Sequence, residues 1–465
     1  EYIPLEPPLS EKLKTYMKTI NRALETMINT EIILDVLKSK EKFIEESLDF
    51  ICELYALKIN ESERDVLLYY LQRDYLGYGK IDPLMNDRFI EDISCNGPKT
   101  NIYVYHRFFE SIPTTISFEE VELNNFILRL AQMSGRHISI LQPIRDAALP
   151  DGSRINMTLG REVTKKGSTF TIRKFRSDPI SPTELISLGT ANFEIFAYFW
   201  LLVEFKKSLL ISGGTATGKT TLLNAICAFI KPESKIVSIE DTPELNLQHP
   251  NWIQSVTRVG FGEVSGVSGI SGISGGSTRR SPGDIDLYTL LVAALRQRPE
   301  YIIVGEVRGE EAYTLFQAIS VGHSALGTVH ASSMPELIAR LESPPMNVPR
   351  MLISNLDLVV FPSLIKDKNG NKKRRVKQVV EVLGVDPATK EVITNTVFKW
   401  DPEKEDFDYL GRSYLMEEIA NDTGRKLKDL QDEWIKRAQF LESALKNKVM
   451  RYGDFINLIR DYQGL

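Results

Sequence analysis

A short glycine-rich segment carries the residues best suited to chemistry. Residues 213–220 have the sequence GGTATGKT and match the pattern GxxxxGK[ST]. In this pattern glycines let backbone N–H groups surround phosphate oxygens, the lysine reaches the β and γ phosphates, and the final hydroxyl can bind Mg²⁺. The segment therefore predicts binding of ATP with Mg²⁺. The predicted nucleotide-binding residues are Gly213, Gly214, Thr215, Ala216, Thr217, Gly218, Lys219, Thr220 and Thr221.

Two carboxylates follow short apolar runs and could complete a hydrolytic site. Glu306 comes shortly after Tyr301–Val304, and Glu240 comes directly after Ile236–Ile239. Together with the Thr220 hydroxyl, these acids could bind Mg²⁺ and orient or deprotonate the attacking water. Glu240 is our first choice for the base, and Glu306 could share that duty. The alternative is that one of the two acids only caps the next helix.

Two histidines follow in the same half of the chain. His323 and His330 have no cysteine near them in the sequence, so they make a poor metal site, and a structural role is the default interpretation for each. The functional alternative is a histidine that senses the nucleotide from the end of a strand. We assign that role to His330 and count it among the candidate catalytic residues.

The order of apolar runs around these residues predicts an α/β sheet. Leu209–Ser212, Ile236–Ile239 and Tyr301–Val304 are short and continuously apolar, which is typical of strands buried on both faces of a mostly parallel sheet. Residues 221–230 predict a helix after the glycine-rich loop. Because parallel strands end at the same edge of a sheet, Glu240 and Glu306 should lie close to that loop.

The rest of the chain predicts two further regions and a linker. Apolar residues at three- and four-residue steps, as from Leu13 to Leu24, indicate a helical region. Mixed strand and helix patterns follow, and then two prolines, Pro179 and Pro182, mark a stiff linker. The predicted organisation is a helical region at 1–82, an α/β domain at 83–176, a linker at 177–182, and an ATPase domain with C-terminal helices at 183–465.

Two segments of unusual composition remain. Glycine and serine dominate 260–283, which predicts a mobile loop or a long hairpin tip. The segment 366–377 holds seven Lys or Arg residues and one Asp, and its Asn369-Gly370 pair indicates an exposed hairpin turn. No functional residue is assigned in either segment.

Composition excludes several classes of protein. A net charge of −5 over 465 residues argues against nucleic-acid binding through global charge. The chain has only 3 cysteines, and they are far apart, so neither a cysteine-rich zinc module nor a disulfide scaffold is expected. The longest apolar run, Ile195–Val203, is far shorter than the ~20 residues that span a bilayer. We expect a cytoplasmic protein.

The motifs together resemble the type II/IV secretion and type IV pilus ATPases, over about residues 77–400. Residues 239–244 resemble the aspartate box of that family, 295–309 its Walker B block, 322–331 its histidine box, and 77–94 the start of its N-terminal domain. The resemblance implies a RecA-like, AAA-like P-loop NTPase core with a mostly parallel sheet. It also implies a smaller α/β N-terminal domain, which here follows a helical extension.

The same resemblance implies assembly into a homo-hexamer with shared sites. In the family, arginines of the N-terminal domain complete the nucleotide site of the neighbouring subunit, and the matching positions are Arg154 and Arg173. Guanidinium groups inserted in trans would neutralise charge on the transferring phosphoryl group. The alternative for each arginine is an ordinary salt bridge.

The missing zinc module, the helical extension and the segment from Ser153 to Thr158 make the chain most similar to the archaellum (archaeal flagellum) motor ATPases. That resemblance implies a hexameric motor that hydrolyses ATP to assemble, and to rotate, the archaellum. Its partners would be an integral membrane platform protein and other cytoplasmic motor components, with peripheral contact at the inner face of the cell membrane.

Pilus assembly or type II/IV secretion is the alternative within the family. A DNA translocase, supported by the basic segment 366–377, is the alternative of another class, although no direct contact with nucleic acid is expected.

Overall fold

The computed structural model describes residues 1–29, 40–175, 178–258, 283, 285–366, 370 and 372–464. The glycine- and serine-rich segment 260–283 lies outside these residues except for Gly283. The chain divides into two compact units, Glu1–Arg176 and Ser177–Leu465. The finer division of the first unit into a helical region and an α/β domain stays a prediction, as does the linker.

The first unit begins with a helical layer. Its helices are α1 (Glu11–Asn29), α2 (Lys40–Leu54) and α3 (Glu61–Leu71), followed by a π-helical turn (Gln72–Leu76), a 3-10 turn (Gly79–Ile81) and α4 (Asp82–Asn86). Asn60 and Glu63 form a reciprocal capping box at the start of α3. Apolar side chains of α1, including Leu13, Ile20 and Leu24, pack with those of α2 and α3 in one buried cluster.

An antiparallel sheet follows in the same unit. Its elements are β1 (Ile90–Cys95), β2 (Tyr103–His106), β3 (Glu110–Pro113), α5 (Glu120–Met133), β4 (Ile144–Ala148), β5 (Arg154–Thr158) and β6 (Thr169–Arg173). The described strands lie in the order β3-β2-β1-β6-β5-β4. Ile93, Met157 and Phe170 of the sheet pack against Leu123 and Ile127 of α5, so this layer has its own apolar core.

The second unit contains a larger mixed sheet. Its strands are β7 (Leu209–Ser212), β8 (Ile236–Glu240), β9 (Trp252–Val256), β10 (Tyr301–Val304), β11 (Ser324–Val329), β12 (Leu358–Lys366), β13 (Lys372–Val385), β14 (Val392–Asp401) and β15 (Asp406–Tyr409). The described strands lie in the order β15-β14-β13-β12-β7-β11-β10-β8-β9. Strands β12 to β9 in that order pair in parallel, and β12 to β15 pair antiparallel.

Helices cover both faces of this sheet. They are α6 (Pro182–Ser187), α7 (Phe193–Glu204), α8 (Lys219–Cys227), α9 (Leu287–Leu295), α10 (Glu311–Ser320), α11 (Met334–Glu342), α12 (Arg350–Ile353), α13 (Tyr414–Thr423), α14 (Leu427–Lys446) and α15 (Tyr452–Gln463). The central strands β7, β8, β10 and β11 are buried along their whole length. This burial explains their continuous apolar runs, and the prediction of an α/β core around a mostly parallel sheet is confirmed.

The basic segment 366–377 lies at the end of a hairpin, as predicted, because Lys366 of β12 pairs antiparallel with Lys372 of β13. Arg374 and Lys377 are exposed, whereas Arg375 is buried, which the prediction of an exposed segment did not include. The turn residues 367–369 and 371 lie outside the described part of the chain. None of the described helices has both the length and the apolarity needed to cross a membrane.

Candidate active site

The phosphate loop lies between β7 and α8, as its pattern predicts. Ala216 and Gly218 both have positive φ values, +59° and +86°, on either side of Thr217. Such a turn directs successive backbone N–H groups to one side and makes a concave site for an anion. At Gly213 a Cβ atom would lie 2.7 Å from the Pro362 carbonyl oxygen. The close approach of β12 therefore requires a glycine at that position.

Lys219 is the first residue of α8 and is buried. Its Nζ donates hydrogen bonds to the carbonyl oxygens of Gly213 and Gly214, at 3.0 and 2.9 Å. It also lies 3.1 Å from Nδ1 of His330. The ammonium group is thus held within the loop that would surround a phosphate. Thr220 and Thr221 follow it in the first turn of α8, both half-buried, and Thr215 is exposed.

His330 connects Lys219 to Glu306. The second ring nitrogen of His330, Nε2, lies 3.3 Å from Oε1 of Glu306. Burial and the positive charge of Lys219 lower the pKa of His330. Because an ammonium group only donates hydrogen bonds, the neutral ring accepts at Nδ1 and carries its proton at Nε2, facing Glu306. The structure therefore brings three of the predicted site residues into one row of close polar contacts.

Glu240 has different surroundings. Its Oε1 accepts hydrogen bonds from the backbone N–H groups of Glu244 and Leu245, both at 2.9 Å, and its Oε2 accepts one from Gln254 at 3.2 Å. The side chain is buried, and burial raises the pKa of its carboxyl group. At Gly305 a Cβ would lie 3.0 Å from Glu240 Cγ, so the glycine leaves room for this acid. Glu240 therefore holds the loop after β8; that loop is not helical, so Glu240 does not cap a helix as the alternative above stated.

The ends of the central strands are joined by further contacts. The Thr328 hydroxyl donates to the Gly305 carbonyl oxygen at 2.6 Å, and the Ser212 hydroxyl donates to that of Ala331 at 2.7 Å. Arg308 pairs with Asp241. These contacts keep Glu306, with 38% of its side chain exposed, at the edge where the phosphate loop begins.

Two contributors to the site have no signal in the sequence motifs. Glu311 is buried, and its Oε1 accepts hydrogen bonds from the backbone N–H groups of Arg308 and Gly309, both at 2.8 Å. Arg374 donates from Nε to the Ala216 carbonyl oxygen at 3.0 Å, although the two residues are 158 positions apart. The Glu311 contacts are local, since they join residues two and three positions apart, whereas the Arg374 contact depends on how the strands are arranged.

Arg154 and Arg173 lie in the first unit, directly opposite each other on the paired strands β5 and β6. Residues paired in this way point to the same face of a sheet. On its other side Arg173 pairs with Asp92 of β1. The two arginines therefore form one basic pair, and their action on the nucleotide of a neighbouring subunit stays a prediction.

The residues around the loop fit a phosphate with Mg²⁺. The described chain contains no cluster of three or more His, Cys, Asp or Glu side chains able to hold a metal ion alone. Mg²⁺ prefers oxygen ligands and commonly combines one or two protein groups with phosphate oxygens. The Thr220 hydroxyl and the exposed Glu306 carboxylate are of that kind, whereas both oxygens of Glu240 already accept hydrogen bonds.

Relatives of this chain include several archaeal proteins. An uncharacterized protein of Methanocaldococcus jannaschii is 40% identical over 97% of this chain and 83% of its own length. A second uncharacterized protein of that organism is 44% identical over 61% of this chain and 97% of its own length. A Mycobacterium tuberculosis protein named for conjugal transfer is 29% identical over 59% of this chain and 74% of its own length.

Solved structures with similarity to the chain include ATPases of secretion systems. The Legionella pneumophila ATPase DotB is 17% identical, with a TM-score of 0.43, over 66% of this chain and 80% of its own. The VirB11 ATPase from the Brucella suis type IV secretion system is 21% identical, with a TM-score of 0.31, over 67% of this chain and 93% of its own. The model of the type II/IV secretion system protein family matches residues 77–448. With its phosphate loop at the edge of a largely parallel sheet, the chain belongs to the type II/IV secretion and pilus ATPase family.

Proposed function

We propose that this chain binds Mg·ATP at residues 213–220 and hydrolyses it to ADP and phosphate, as a motor of a surface-filament or secretion machine. The observation that carries the proposal is the row of Lys219, His330 and Glu306 at the phosphate loop. A lysine that contacts loop carbonyl oxygens, with a histidine and a carboxylate behind it, is arranged to bind and process a terminal phosphate. Membership of the secretion and pilus ATPase family supports the same conclusion.

Each residue has a distinct task in this proposal. Lys219 moves its ammonium group from the carbonyl oxygens of the loop to the β and γ phosphates, while the turned N–H groups of the loop bind the same phosphates. Bound Mg²⁺ would neutralise the developing negative charge, with Thr220 and Glu306 as its protein ligands. His330 orients Glu306 through its Nε2–H. Because its Nδ1 contacts Lys219, this orientation depends on where the lysine ammonium group lies. Glu306 then orients or deprotonates the attacking water.

The assignment of the base moves from Glu240 toward Glu306 in this proposal. Both carboxylate oxygens of Glu240 accept structural hydrogen bonds near the turn after β8, whereas Glu306 is half-exposed after the end of β10. Glu240 keeps a supporting role, because the turn that it holds includes Asp241, and Asp241 pairs with Arg308. Arg154 and Arg173 would complete the site in trans within a homo-hexamer, which makes hydrolysis depend on assembly.

Three variants test these roles. We expect Lys219→Ala to lower the turnover of ATP by at least about a hundredfold, since a phosphate-stabilising charge is lost. Glu306→Gln should lose hydrolysis while keeping nucleotide binding and thermal stability. Glu240→Ala should also lose stability, because it leaves the N–H groups of Glu244 and Leu245 without their acceptor. Turnover, nucleotide binding and thermal unfolding are measured on the purified full chain. Full activity in Lys219→Ala would contradict the assignment of the phosphate loop.

For the machine that the motor serves, we propose assembly and rotation of the archaellum, with docking on an integral membrane platform protein at the cytoplasmic face of the membrane. Deletion of the gene should then abolish swimming while surface pili remain. Intact swimming with loss of pili, or with loss of a secreted substrate, would favour the pilus or secretion alternative instead. The similarity to a protein named for conjugal transfer makes secretion the second candidate.

The DNA translocase alternative has less support. Arg374 and Arg375, two of the basic residues in 366–377, make contacts within the chain. Titration with DNA at several salt concentrations separates the two classes, because phosphate-driven binding weakens steeply with salt. DNA that binds in this manner and accelerates hydrolysis would favour a translocase.

A further inference from the structure

An arginine from the β12–β13 hairpin packs along the phosphate loop. Besides the hydrogen bond from Arg374 Nε to the Ala216 carbonyl oxygen, Arg374 Cδ lies 3.2 Å from the position that a Cβ on Gly218 would occupy. The Pro362 carbonyl oxygen of the same hairpin lies against Gly213. Two points of the loop, its start and its turn, therefore rest on β12 and β13.

The turn that Arg374 contacts has a disfavoured backbone conformation. Ala216 has a φ of +59°, in the left-handed region that a residue with a Cβ atom rarely adopts. Yet this conformation is the one that aims the N–H groups near Thr217 at a phosphate. A charge-assisted hydrogen bond to the carbonyl oxygen of Ala216 stabilises that conformation from within the protein.

Arg374 projects from a strand position that is itself held firmly. Arg375 is buried, and its Nη1 donates to the carbonyl oxygens of Leu188 and of Arg374, both at 2.9 Å. The next residue, Val376, donates its N–H to the Thr190 carbonyl oxygen at 2.8 Å. Because consecutive side chains of a strand point to opposite faces, Arg375 anchors the strand while Arg374 reaches the loop.

We propose that Arg374 is a positioning residue that holds the phosphate loop ready for a nucleotide, so that nucleotide affinity depends on the β12–β13 hairpin. The inference rests on the proposed function, because it takes the loop to be the nucleotide site. Arg374 belongs to the basic segment 366–377, whose composition alone indicates a solvated surface or a contact with DNA. The inference instead gives this segment a role in holding the phosphate loop of the same chain.

The test replaces Arg374 by methionine, which keeps much of the bulk but removes the donor. We expect the Kd for Mg·ADP and the KM for ATP each to rise roughly tenfold, the scale of one hydrogen bond from a charged group. The kcat should stay within about twofold, since Arg374 does not touch the reacting atoms. Arg374→Lys keeps a cationic donor and should recover part of the affinity. Lys377→Gln removes an equal charge from an exposed position of the same strand and should match the wild type.

The results distinguish a failure of the Arg374 inference from a failure of the proposed function on which it rests. Wild-type Kd and KM in Arg374→Met, or an equal loss in Lys377→Gln, would overturn the inference. If Arg374→Met also lowers the thermal stability without nucleotide, Ala216→Gly is added to it, because glycine adopts a positive φ without penalty. Recovered affinity in the double variant supports positioning of the loop, and no recovery overturns it. A wild-type chain that fails to bind Mg·ATP would contradict the proposed function instead.

Discussion

Lys219, His330 and Glu306 lie in one row of close polar contacts, and their surroundings separate them from Glu240. All four residues belong to motifs at the ends of neighbouring strands, so spacing alone predicts that they meet. The number of hydrogen-bond donors around each carboxylate distinguishes Glu240 from Glu306. A buried acid whose oxygens both accept hydrogen bonds is suited to fixing a turn, whereas Glu306 keeps an exposed side for water and Mg²⁺.

The glycines of the phosphate loop allow a test at the same scale. Gly213→Ala would place a Cβ atom 2.7 Å from a backbone oxygen, which cannot move freely. We expect a loss of about 1–3 kcal/mol in the free energy of unfolding, as for other overpacked sites. In Gly214→Ala the nearest neighbour of the new atom is a Thr217 methyl group at 3.9 Å, so stability should change by at most about 0.5 kcal/mol. Denaturant unfolding measures both, and equal losses would contradict the steric argument.

At the scale of elements, burial explains segments whose composition is ambiguous. Residues 195–203, the longest apolar run of the sequence, lie in α7, and every one of them is buried. The helix packs into the core of the second unit together with Trp434 and Leu441 of α14. A helix that is apolar all round is thus a core helix here.

The N-terminal helix α1 also belongs to a core, so point substitutions test its role better than a deletion. Ile20 is fully buried among α1, α2 and α3, so deletion of residues 1–30 would remove part of that core. We expect Ile20→Ala to cost about 2–5 kcal/mol of unfolding free energy, the usual range for a buried aliphatic side chain. Ile3→Ala is the matched control, because Ile3 is 61% exposed and should cost at most about 0.5 kcal/mol. Hydrogen exchange of α1–α3 amides reports the difference, and similar protection in both variants would contradict this packing.

At the scale of the whole molecule, the chain consists of two compact units, and each contains different predicted site residues. The phosphate loop and the acids lie in Ser177–Leu465, and the arginine pair lies in Glu1–Arg176. A site assembled in trans would need both units in each subunit of a ring. A net charge of −5 gives the chain little global attraction for nucleic acid, which is consistent with the proposed function.

Nucleotide binding should therefore stabilise one unit selectively. Mg·ADP at about a hundred times its Kd stabilises a native site by ~2.7 kcal/mol, which corresponds to roughly 5–10 °C in Tm for a unit of this size. We expect this shift in the unfolding of the second unit, and none in the hydrogen exchange of α1–α3. Lys219→Ala should remove most of the shift. A shift that persists in Lys219→Ala would place the nucleotide elsewhere.

The sequence by itself determined the phosphate loop, the strands around it and the family. Those features depend on contiguous residues, since a phosphate loop needs its glycines, lysine and hydroxyl in one short stretch, and buried parallel strands need continuous apolar runs. Only the tertiary structure decided that Glu240 caps a turn, that Arg154 lies opposite Arg173, and that Arg374 supports Ala216. These contacts join residues through the order and register of strands, and neither spacing nor composition encodes which side chain a distant strand will bring to a loop.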